Sequence, residues 1–228
     1  MPGLYKTRGK IEMSKQKSLE FVHGDLYAVA LEVTKKWVHK AEIQPVLNYT
    51  MHAENGDMIA TDSHRLIKIK NMHGFKEEYL INPKTFMVAT GNYPDTSKLM
   101  DTTGHEAIAL TKEQIKLWLQ IFKSINQTLK VMKSDRHKLT VMQFSESENS
   151  VEVELRGHDV RMKLPGIVHK PSFESIAFSA EYMRDALEAH VKLNSDQATF
   201  LMQGPMRPII IDNESNLETL ILPVRVYN

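Results

Sequence analysis

The order of helical and strand patterns occurs twice along the chain, and this repetition most constrains the fold. In each half, a helix with one apolar stripe is followed by short strands of alternating residues. Each repeat is about a hundred residues long, a common size for a domain. The pattern predicts an α+β chain of two modules, with helices on one face of antiparallel sheets. We place the modules at residues 19–104 and 105–228 and interpret residues 1–18 as a disordered tail.

Capping and turn residues refine the prediction for the first module. Asp25 is a suitable N-cap for its helix, and Asn55 with Gly56 favours a tight hairpin because both tolerate positive φ angles. Asn82 followed by proline predicts the start of a short helix, which Gly91 ends. The apolar stripe of the first helix consists of Leu26, Val29, Ala30, Val33 and Trp37. The predicted strands are residues 19–22, 47–52 and 58–69.

The second module repeats this plan with stronger signals. Thr111 is predicted to cap a helix because Glu and Gln follow in the first turn. Ser179 is predicted to cap a second helix at residues 181–191. The stripe of the first of these helices consists of Ile115, Trp118, Leu119, Phe122 and Ile125. The predicted strands are residues 138–144, 151–155, 160–164, 175–178, 199–203, 208–212 and 217–226.

The composition limits how the chain could contact DNA. It has 29 Lys and Arg residues against 28 Asp and Glu residues, so it lacks the basic excess of a protein that holds DNA tightly by itself. Any such contact must use charge sorted onto one surface. The absence of cysteine excludes disulfides, thiolate metal sites and a cysteine nucleophile, and fits a reducing cytoplasm. No apolar run is long enough to span a bilayer, so a cytoplasmic protein is expected.

Four segments carry a resemblance to a known family. Residues 59–66 read IATDSHRL and resemble the signature strand in the middle domain of bacterial sliding clamps, the beta subunits of DNA polymerase III. Residues 179–187 read SAEYMRDAL and residues 204–208 read GPMRP, and they resemble the last helix of that family and its next turn. Residues 220–227 read LILPVRVY, as clamps of low-GC Gram-positive bacteria tend to end.

The resemblance covers residues 19–227 and only the last two of the family's three domains. The first module runs almost directly from Asn82 to Tyr93 and skips strands that the family has there, so it is a trimmed clamp domain. A family ring contains six domains, which three copies of this chain would supply, whereas an incomplete edge would leave a monomer or an open arc. The reduced form suggests an origin in a phage or another mobile element.

The resemblance implies helices with basic faces that line a hole around duplex DNA. Such faces hold phosphates loosely and do not read bases. The same spacing is also typical of the solvated face of any amphipathic helix. The residues expected to face DNA are Lys35, Lys36, Lys40, Lys112, Lys116, Lys123, Arg184 and Lys192.

The resemblance also implies a cleft that binds a short, partly apolar linear motif of a DNA polymerase or another partner. Apolar walls would supply affinity, while Thr and His edges orient the peptide backbone. Plain core packing is the alternative for Leu66 and Ile221, and a satisfied structural role is the alternative for His64. The residues expected at the cleft are Thr61, His64, Leu66, Arg207, Pro208, Leu220, Ile221, Leu222, Pro223 and Val224.

Three hypotheses follow. The first is a non-catalytic sliding clamp without cofactors, which encircles DNA as a homo-oligomer, tethers a polymerase and uses a clamp loader. The second is a monomeric decoy or adaptor that binds clamp-interaction peptides without encircling DNA. The third is a metal-dependent enzyme built around Asp62 and His64, which would share one face of a strand, although no third ligand with recognisable spacing and no nucleophile motif is present.

Overall fold

The computed structural model has an α+β fold built from two antiparallel sheets and a layer of helices. It describes residues 22–39, 44–100, 105–132, 139–144, 150–155 and 157–225. The helices in these ranges are α1 (Tyr27–Thr34), α2 (Lys112–Val131) and α3 (Ala180–Lys192), and short 3-10 turns form at Pro45–Asn48 and Ser97–Met100. None of these helices is long and apolar enough to cross a bilayer.

The strands of the described residues form two sheets. In chain order they are β1 (Thr50–His52), β2 (Met58–Thr61), β3 (Arg65–Ile69), β4 (Tyr79–Ile81), β5 (Val88–Ala89), β6 (His105–Thr111), β7 (Leu139–Phe144), β8 (Ser150–Leu155), β9 (Val160–Pro165), β10 (Ile167–Val168), β11 (Ser175–Ser179), β12 (Gln197–Met202), β13 (Ile209–Asp212) and β14 (Leu217–Ile221). The larger sheet has the order β10-β6-β12-β13-β14-β3-β2-β1-β4-β5, and the smaller has the order β11-β7-β8-β9. The predicted fold class is therefore confirmed.

The helices form one layer over the larger sheet, in the order α1, α3, α2. Because side chains alternate along a strand, Ile67 of β3 and Leu217 and Ile221 of β14 point into this layer and are fully buried. A smaller apolar cluster, on the opposite face, consists of Ile59, Leu66, Ile210 and Leu220. The larger sheet therefore separates a main core from a small satellite core.

The larger sheet contains strands of both predicted modules. Strand β3 lies before the predicted module boundary and β14 lies after it, and the two pair with Leu220 opposite Leu66 and Leu217 opposite Ile69. The modules are thus joined by backbone hydrogen bonds. The predicted tail at residues 1–18, most of the predicted first strand and Lys40 lie outside the described residues.

Helix α2 forms where its local signals predict it. The Thr111 hydroxyl accepts from the Gln114 backbone N–H at 3.4 Å, and the Gln114 side chain accepts from the Thr111 N–H at 2.9 Å, which completes a capping box. All five predicted stripe residues are buried. Helix α3 and the predicted strands of the second module are also confirmed, with shifts at their ends. The last predicted strand, residues 217–226, ends at Ile221, and residues 138 and 226 lie outside the described residues. Ser179 is the N-cap of α3, although its side chain makes no capping hydrogen bond.

The predicted cap of the first helix is wrong. The N-cap residue of α1 is Leu26, without a side-chain cap, and Asp25 is exposed. Tyr27, the first helical residue, stacks on the His23 ring with centroids 4.7 Å apart, and its hydroxyl lies 3.0 Å from Nε2 of His52. Aromatic packing therefore fixes where this helix begins.

The helix predicted at Asn82 is also wrong, because β4 and β5 form a hairpin there. The Asn82 side-chain oxygen accepts from the N–H groups of Lys84 at 2.9 Å and Thr85 at 3.0 Å, as a cap would, but the chain then turns back. Val88 pairs with Ile81. Residues 45–48, predicted in part as strand, form a 3-10 turn, and the strand predicted at residues 58–69 is interrupted by a turn between β2 and β3.

Buried histidines in both modules are held neutral. His52 is fully buried, with Nδ1 3.1 Å from the Thr50 carbonyl oxygen. Because a carbonyl only accepts, Nδ1 donates to it and Nε2 accepts from the Tyr27 hydroxyl. Burial lowers the pKa of His52 to about 4, and burial lowers the pKa of His190 in α3 to about 4 as well.

We expect the free energy of unfolding to fall as the pH drops from 6.5 to about 4, because only the unfolded chain then binds protons at His52 and His190. Each histidine contributes on the order of 3 kcal/mol over this range. Urea unfolding at a series of pH values measures the loss. His52→Gln keeps one donor and one acceptor and should flatten the pH dependence; a variant as acid-sensitive as the parent would contradict this assignment.

Candidate functional site

A buried arginine joins the two modules at the turn between β2 and β3. Arg65 is 7% exposed, and its guanidinium lies between the rings of Trp37 and Tyr182, 5.1 and 4.4 Å from their centroids. Its Nε donates to Asp62 at 2.9 Å and its Nη1 donates to Asp185 of α3 at 2.7 Å. One side chain therefore connects β3, the residues that follow α1, and α3.

Asp185 is the acidic centre of this cluster and is 3% exposed. Its Oδ1 accepts from Nη2 of Arg184 at 2.7 Å and from Nζ of Lys36 at 3.3 Å. Burial alone would raise the pKa of Asp185, but the guanidinium groups of Arg65 and Arg184 outweigh burial and hold this pKa below its usual value. The carboxylate is therefore ionised at neutral pH and held by three cations.

The cations predicted on α1 and α3 are close to carboxylates of the same layer. Nζ of Lys36 lies 2.6 Å from Glu188, and Nζ of Lys192 lies 2.9 Å from Glu32. Lys35 instead lies over the Phe86 ring, 5.8 Å from its centroid. Among the described residues of this region, there are five carboxylates and five cations. The carboxylates are Glu32, Asp62, Glu181, Asp185 and Glu188, and the cations are Lys35, Lys36, Arg65, Arg184 and Lys192. The α1–α3 part of the layer is therefore close to neutral.

Helix α2 keeps a basic excess. Its charged residues are Lys112, Glu113, Lys116, Lys123 and Lys130. At about 100° per residue the four lysines fall within roughly 40° of one another and extend over about 27 Å of the helix axis. Lys112 pairs with exposed Asp196 at 2.8 Å, but such exposed pairs contribute little. Lys130 was not predicted as a residue that faces DNA, although its seven-residue spacing from Lys123 would have placed it on the same helix face. We call these four lysines the α2 lysine stripe.

The predicted cleft residues on β3 and β14 are buried beneath the accessible surface and do not form it themselves. Leu66 and Leu220 lie opposite each other in the satellite core and are 1% and 3% exposed. Ile221 is fully buried on the helix side of the sheet. Thr61 is also buried, and its hydroxyl donates to the Arg65 carbonyl at 2.7 Å.

His64 and Leu222 are the accessible neighbours of these residues. The Leu222 N–H donates to the His64 carbonyl at 2.9 Å, so the turn after β2 and the chain after β14 are adjacent. His64 is exposed and lines a groove of about 420 Å³ with Tyr182. Pro223 and Val224 follow as half-buried residues, and the Val224 N–H donates to Ala177 of β11 at 2.8 Å.

Arg207 and Pro208 lie in the turn between β12 and β13 and line a separate groove of about 260 Å³. The other residues of this groove are Lys98, Leu99, Leu201, Gln203 and Ile210. Ile210 belongs to the satellite core of Leu66 and Leu220, so the groove borders that core. The predicted cleft residues are thus distributed over two grooves that flank one sheet.

The positions of Asp62 and His64 are explained by hydrogen bonds within their own turn, without a metal ion. Asp62 Oδ1 accepts from the backbone N–H groups of His64 at 3.1 Å and Arg65 at 3.2 Å, and Oδ2 accepts from Nε of Arg65. These bonds order a turn in which Ser63 has a φ of 74°. Within the described residues, no three His, Asp or Glu side chains are grouped as metal ligands.

Replacement of Arg65 tests whether this residue joins the modules. We expect Arg65→Ala to lower the free energy of unfolding by about 3–5 kcal/mol, because it leaves the buried Asp185 carboxylate without its main partner. Arg161→Ala is the matched control, since exposed Arg161 lies 3.6 Å from Glu154 and should contribute about 0–1 kcal/mol. Urea unfolding measures both. Equal losses in the two variants would refute the role of Arg65.

The sequence matches no family model and no curated protein. The fold, in contrast, matches solved structures of DNA polymerase sliding clamps. The clamp of Bacillus subtilis aligns with a TM-score of 0.73 and 20% identity over 95% of this chain and 68% of that one. The beta subunit of Streptococcus pyogenes aligns with a TM-score of 0.71 and 17% identity over 99% of this chain and 68% of that one.

A structure of the Helicobacter pylori beta clamp bound to a DNA ligase peptide also aligns, with a TM-score of 0.64 and 15% identity over 94% of this chain and 69% of that one. The covered share of each clamp fits the shortened form predicted from the sequence. At these identities the likeness concerns the fold. The chain therefore has the fold of the bacterial DNA polymerase III beta sliding clamp, over about two thirds of that clamp's length.

Proposed function

We propose that this protein is a sliding clamp, which as an oligomer encircles duplex DNA and tethers a DNA polymerase or another DNA-processing protein. The observation that carries this proposal is the clamp fold over 95% of the chain. A ring of six domains would be completed by three copies of a chain with two modules. The protein would act in the cytoplasm, where DNA is replicated, and a loader could open the ring.

The α2 lysine stripe is the surface that we assign to DNA. Its four lysines extend along about 27 Å of helix and have two carboxylates, Glu113 and Asp196, beside them. Lysine ammonium groups on flexible stems suit loose contacts with phosphates, which permit sliding because they carry no sequence information. The α1–α3 part of the layer would contribute less, since its cations are balanced by carboxylates.

The groove at His64 and Leu222 is the surface that we assign to partner peptides. Exposed His64 lines this groove, and 36% exposed Leu222 lies beside it because its N–H donates to the His64 carbonyl. The two residues offer a polar edge and an apolar contact. Arg207 and Pro208 would contact the continuation of the peptide in the second groove. The DNA ligase peptide bound by the Helicobacter pylori clamp supports this kind of ligand.

The second candidate is a monomeric decoy or adaptor that binds clamp-interaction peptides without encircling DNA. The balanced charge of α1 and α3 favours it, because a helix layer with few unmatched cations has little affinity for phosphates. This candidate uses the same peptide groove. The two functions differ in DNA binding and in oligomeric state.

The DNA surface predicts a specific salt dependence. We expect Lys123→Ala/Lys130→Ala to weaken binding to a linear duplex, and to make the slope of log K against log salt shallower by about two, since each phosphate contact contributes about 0.9. Fluorescence anisotropy over a KCl series measures this. Lys76→Ala/Lys98→Ala removes the same charge from exposed sites outside the helices and is the control. Equal changes in both double variants would argue against DNA contact through α2.

The peptide surface predicts selective loss of binding. We expect Leu222→Asp and His64→Ala to weaken binding of a labelled DNA ligase peptide by about tenfold or more, because each removes an accessible contact. Leu117→Asp, an exposed leucine of α2, is the control and should bind normally. Failure of the unaltered protein to bind the peptide would count against the groove. Peptide binding together with no effect of the lysine variants on DNA would favour the decoy.

A further inference from the structure

The indole of Trp37 leaves a buried hydrogen-bond donor without a partner. Trp37 is fully buried, and among the described residues nothing accepts a hydrogen bond from its Nε1. The other tryptophan differs, because Nε1 of Trp118 donates to the Pro165 carbonyl at 2.8 Å. Most buried polar groups in proteins are hydrogen-bonded, so an unpaired one requires a physical explanation.

Trp37 lines a cavity of about 170 Å³ between α1 and α3. Val33 of α1 and Ala189 of α3 supply its other apolar walls, together with the methylene groups of lysine side chains. The guanidinium of Arg65 lies over the Trp37 ring but does not line this cavity. Trp37 therefore contacts both the cavity and the buried arginine. We call this space the Trp37 cavity.

Charged side chains line the rest of the Trp37 cavity and balance one another. Nζ of Lys36 lies 2.6 Å from Glu188, and Nζ of Lys192 lies 2.9 Å from Glu32. The lining cations are Lys35, Lys36 and Lys192, and the lining carboxylates are Glu32, Asp185 and Glu188. A charged ligand would find no unmatched counter-ion in this lining, so the cavity favours an uncharged one.

The ion pairs at the cavity do not close it permanently. The side chains of Lys36 and Lys192 are 42% and 34% exposed, and ion pairs between accessible side chains contribute little to stability. Their long, flexible side chains can therefore part to admit a molecule from solvent and uncover the indole N–H.

We infer that the Trp37 cavity binds a small, uncharged, mainly apolar molecule with one hydrogen-bond acceptor, such as a ketone or an ester. The apolar walls would hold its hydrocarbon part, while its acceptor receives the proton of Trp37 Nε1. A trapped water fits less well, because a buried water makes about three hydrogen bonds and the cations and carboxylates here already bind one another.

This site is separate from the surfaces assigned to DNA and to peptides. It includes no residue of the α2 lysine stripe, and it shares only Lys36 with the groove at His64. Its walls come from α1 in the first predicted module and α3 in the second, so a bound ligand would contact both modules. The inference goes beyond the proposed clamp and does not depend on ring closure.

The two indole N–H protons provide the test. A ¹H–¹⁵N spectrum of the labelled protein resolves one indole signal for each tryptophan, and Trp37→Phe identifies which is which. We expect cyclohexanone, which has a carbonyl acceptor and no aromatic ring current, to move the Trp37 signal downfield as its N–H gains a hydrogen bond. The Trp118 signal should stay in place, because that N–H already bonds to Pro165. A dissociation constant of roughly millimolar order is expected for so small a ligand.

A second probe and a second variant make the result specific. Methylenecyclohexane has the shape of cyclohexanone but no oxygen, so it should leave the Trp37 signal nearly unchanged at equal concentration. Ala189→Leu fills the cavity with apolar atoms and keeps the indole, so cyclohexanone should no longer move the signal. Equal shifts with both probes, or a shift that persists in Ala189→Leu, would overturn the inference. A Trp37 signal that cyclohexanone never moves would do so too.

Urea unfolding gives an independent readout. Cyclohexanone at ten times its dissociation constant should raise the folding equilibrium constant about tenfold, because it binds only the folded chain. Ala189→Leu should show no such gain, and an equal gain in that variant would place the binding elsewhere and refute the site. The DNA and peptide assays use other surfaces, so this failure would leave the proposed clamp function intact.

Discussion

The pairing of β3 with β14 is the constraint on which the rest of the molecule depends. It joins strands of both predicted modules in the larger sheet, and it sets Leu66 opposite Leu220 so that the satellite core forms. It also brings the chain after β14 next to His64. Without this register, neither the buried arginine cluster nor the peptide groove could be assembled.

The segment from Asp62 to Leu66 serves three purposes through successive residues. Asp62 orders the turn, His64 faces the groove, and Arg65 points between Trp37 and Tyr182 to meet Asp185. Because Arg65 and Tyr182 line the same groove as His64, the functional surface and the module junction cannot be separated. A substitution that alters one also alters the support of the other.

Short sequence signals predicted those elements that interactions between nearby residues determine. Thr111 and Gln114 cap α2 through bonds within four residues, so the sequence alone identified that helix. The prediction of a helix at Asn82 was wrong because its side chain accepts the same backbone hydrogen bonds in a turn as in a helix cap. Only the pairing of Val88 with Ile81 shows that the segment is a hairpin. The burial of Arg65 is visible in retrospect, since strand alternation places it on the side of Ile67.

The helical periodicity predicted which face of a helix carries lysine and arginine. It could not predict which carboxylates from other elements lie close to these cations. Lys36 meets Asp185 across 149 residues of sequence, and Lys192 meets Glu32 across 160. These contacts arise only when α1 packs on α3. Carboxylates therefore neutralise the predicted basic surface where α1 and α3 meet. The basic surface remains on α2, which lies at the other end of the helix layer.

The β3–β14 pair also has a consequence for biosynthesis. Strand β3 leaves the ribosome long before β14, so during translation its outer edge has backbone donors and acceptors but no native partner. Long-range strand pairing of this kind slows folding and leaves an edge open to wrong partners. Strand β3 can pair with β2 as soon as both have been made, but its second native neighbour becomes available only once β14 has been made.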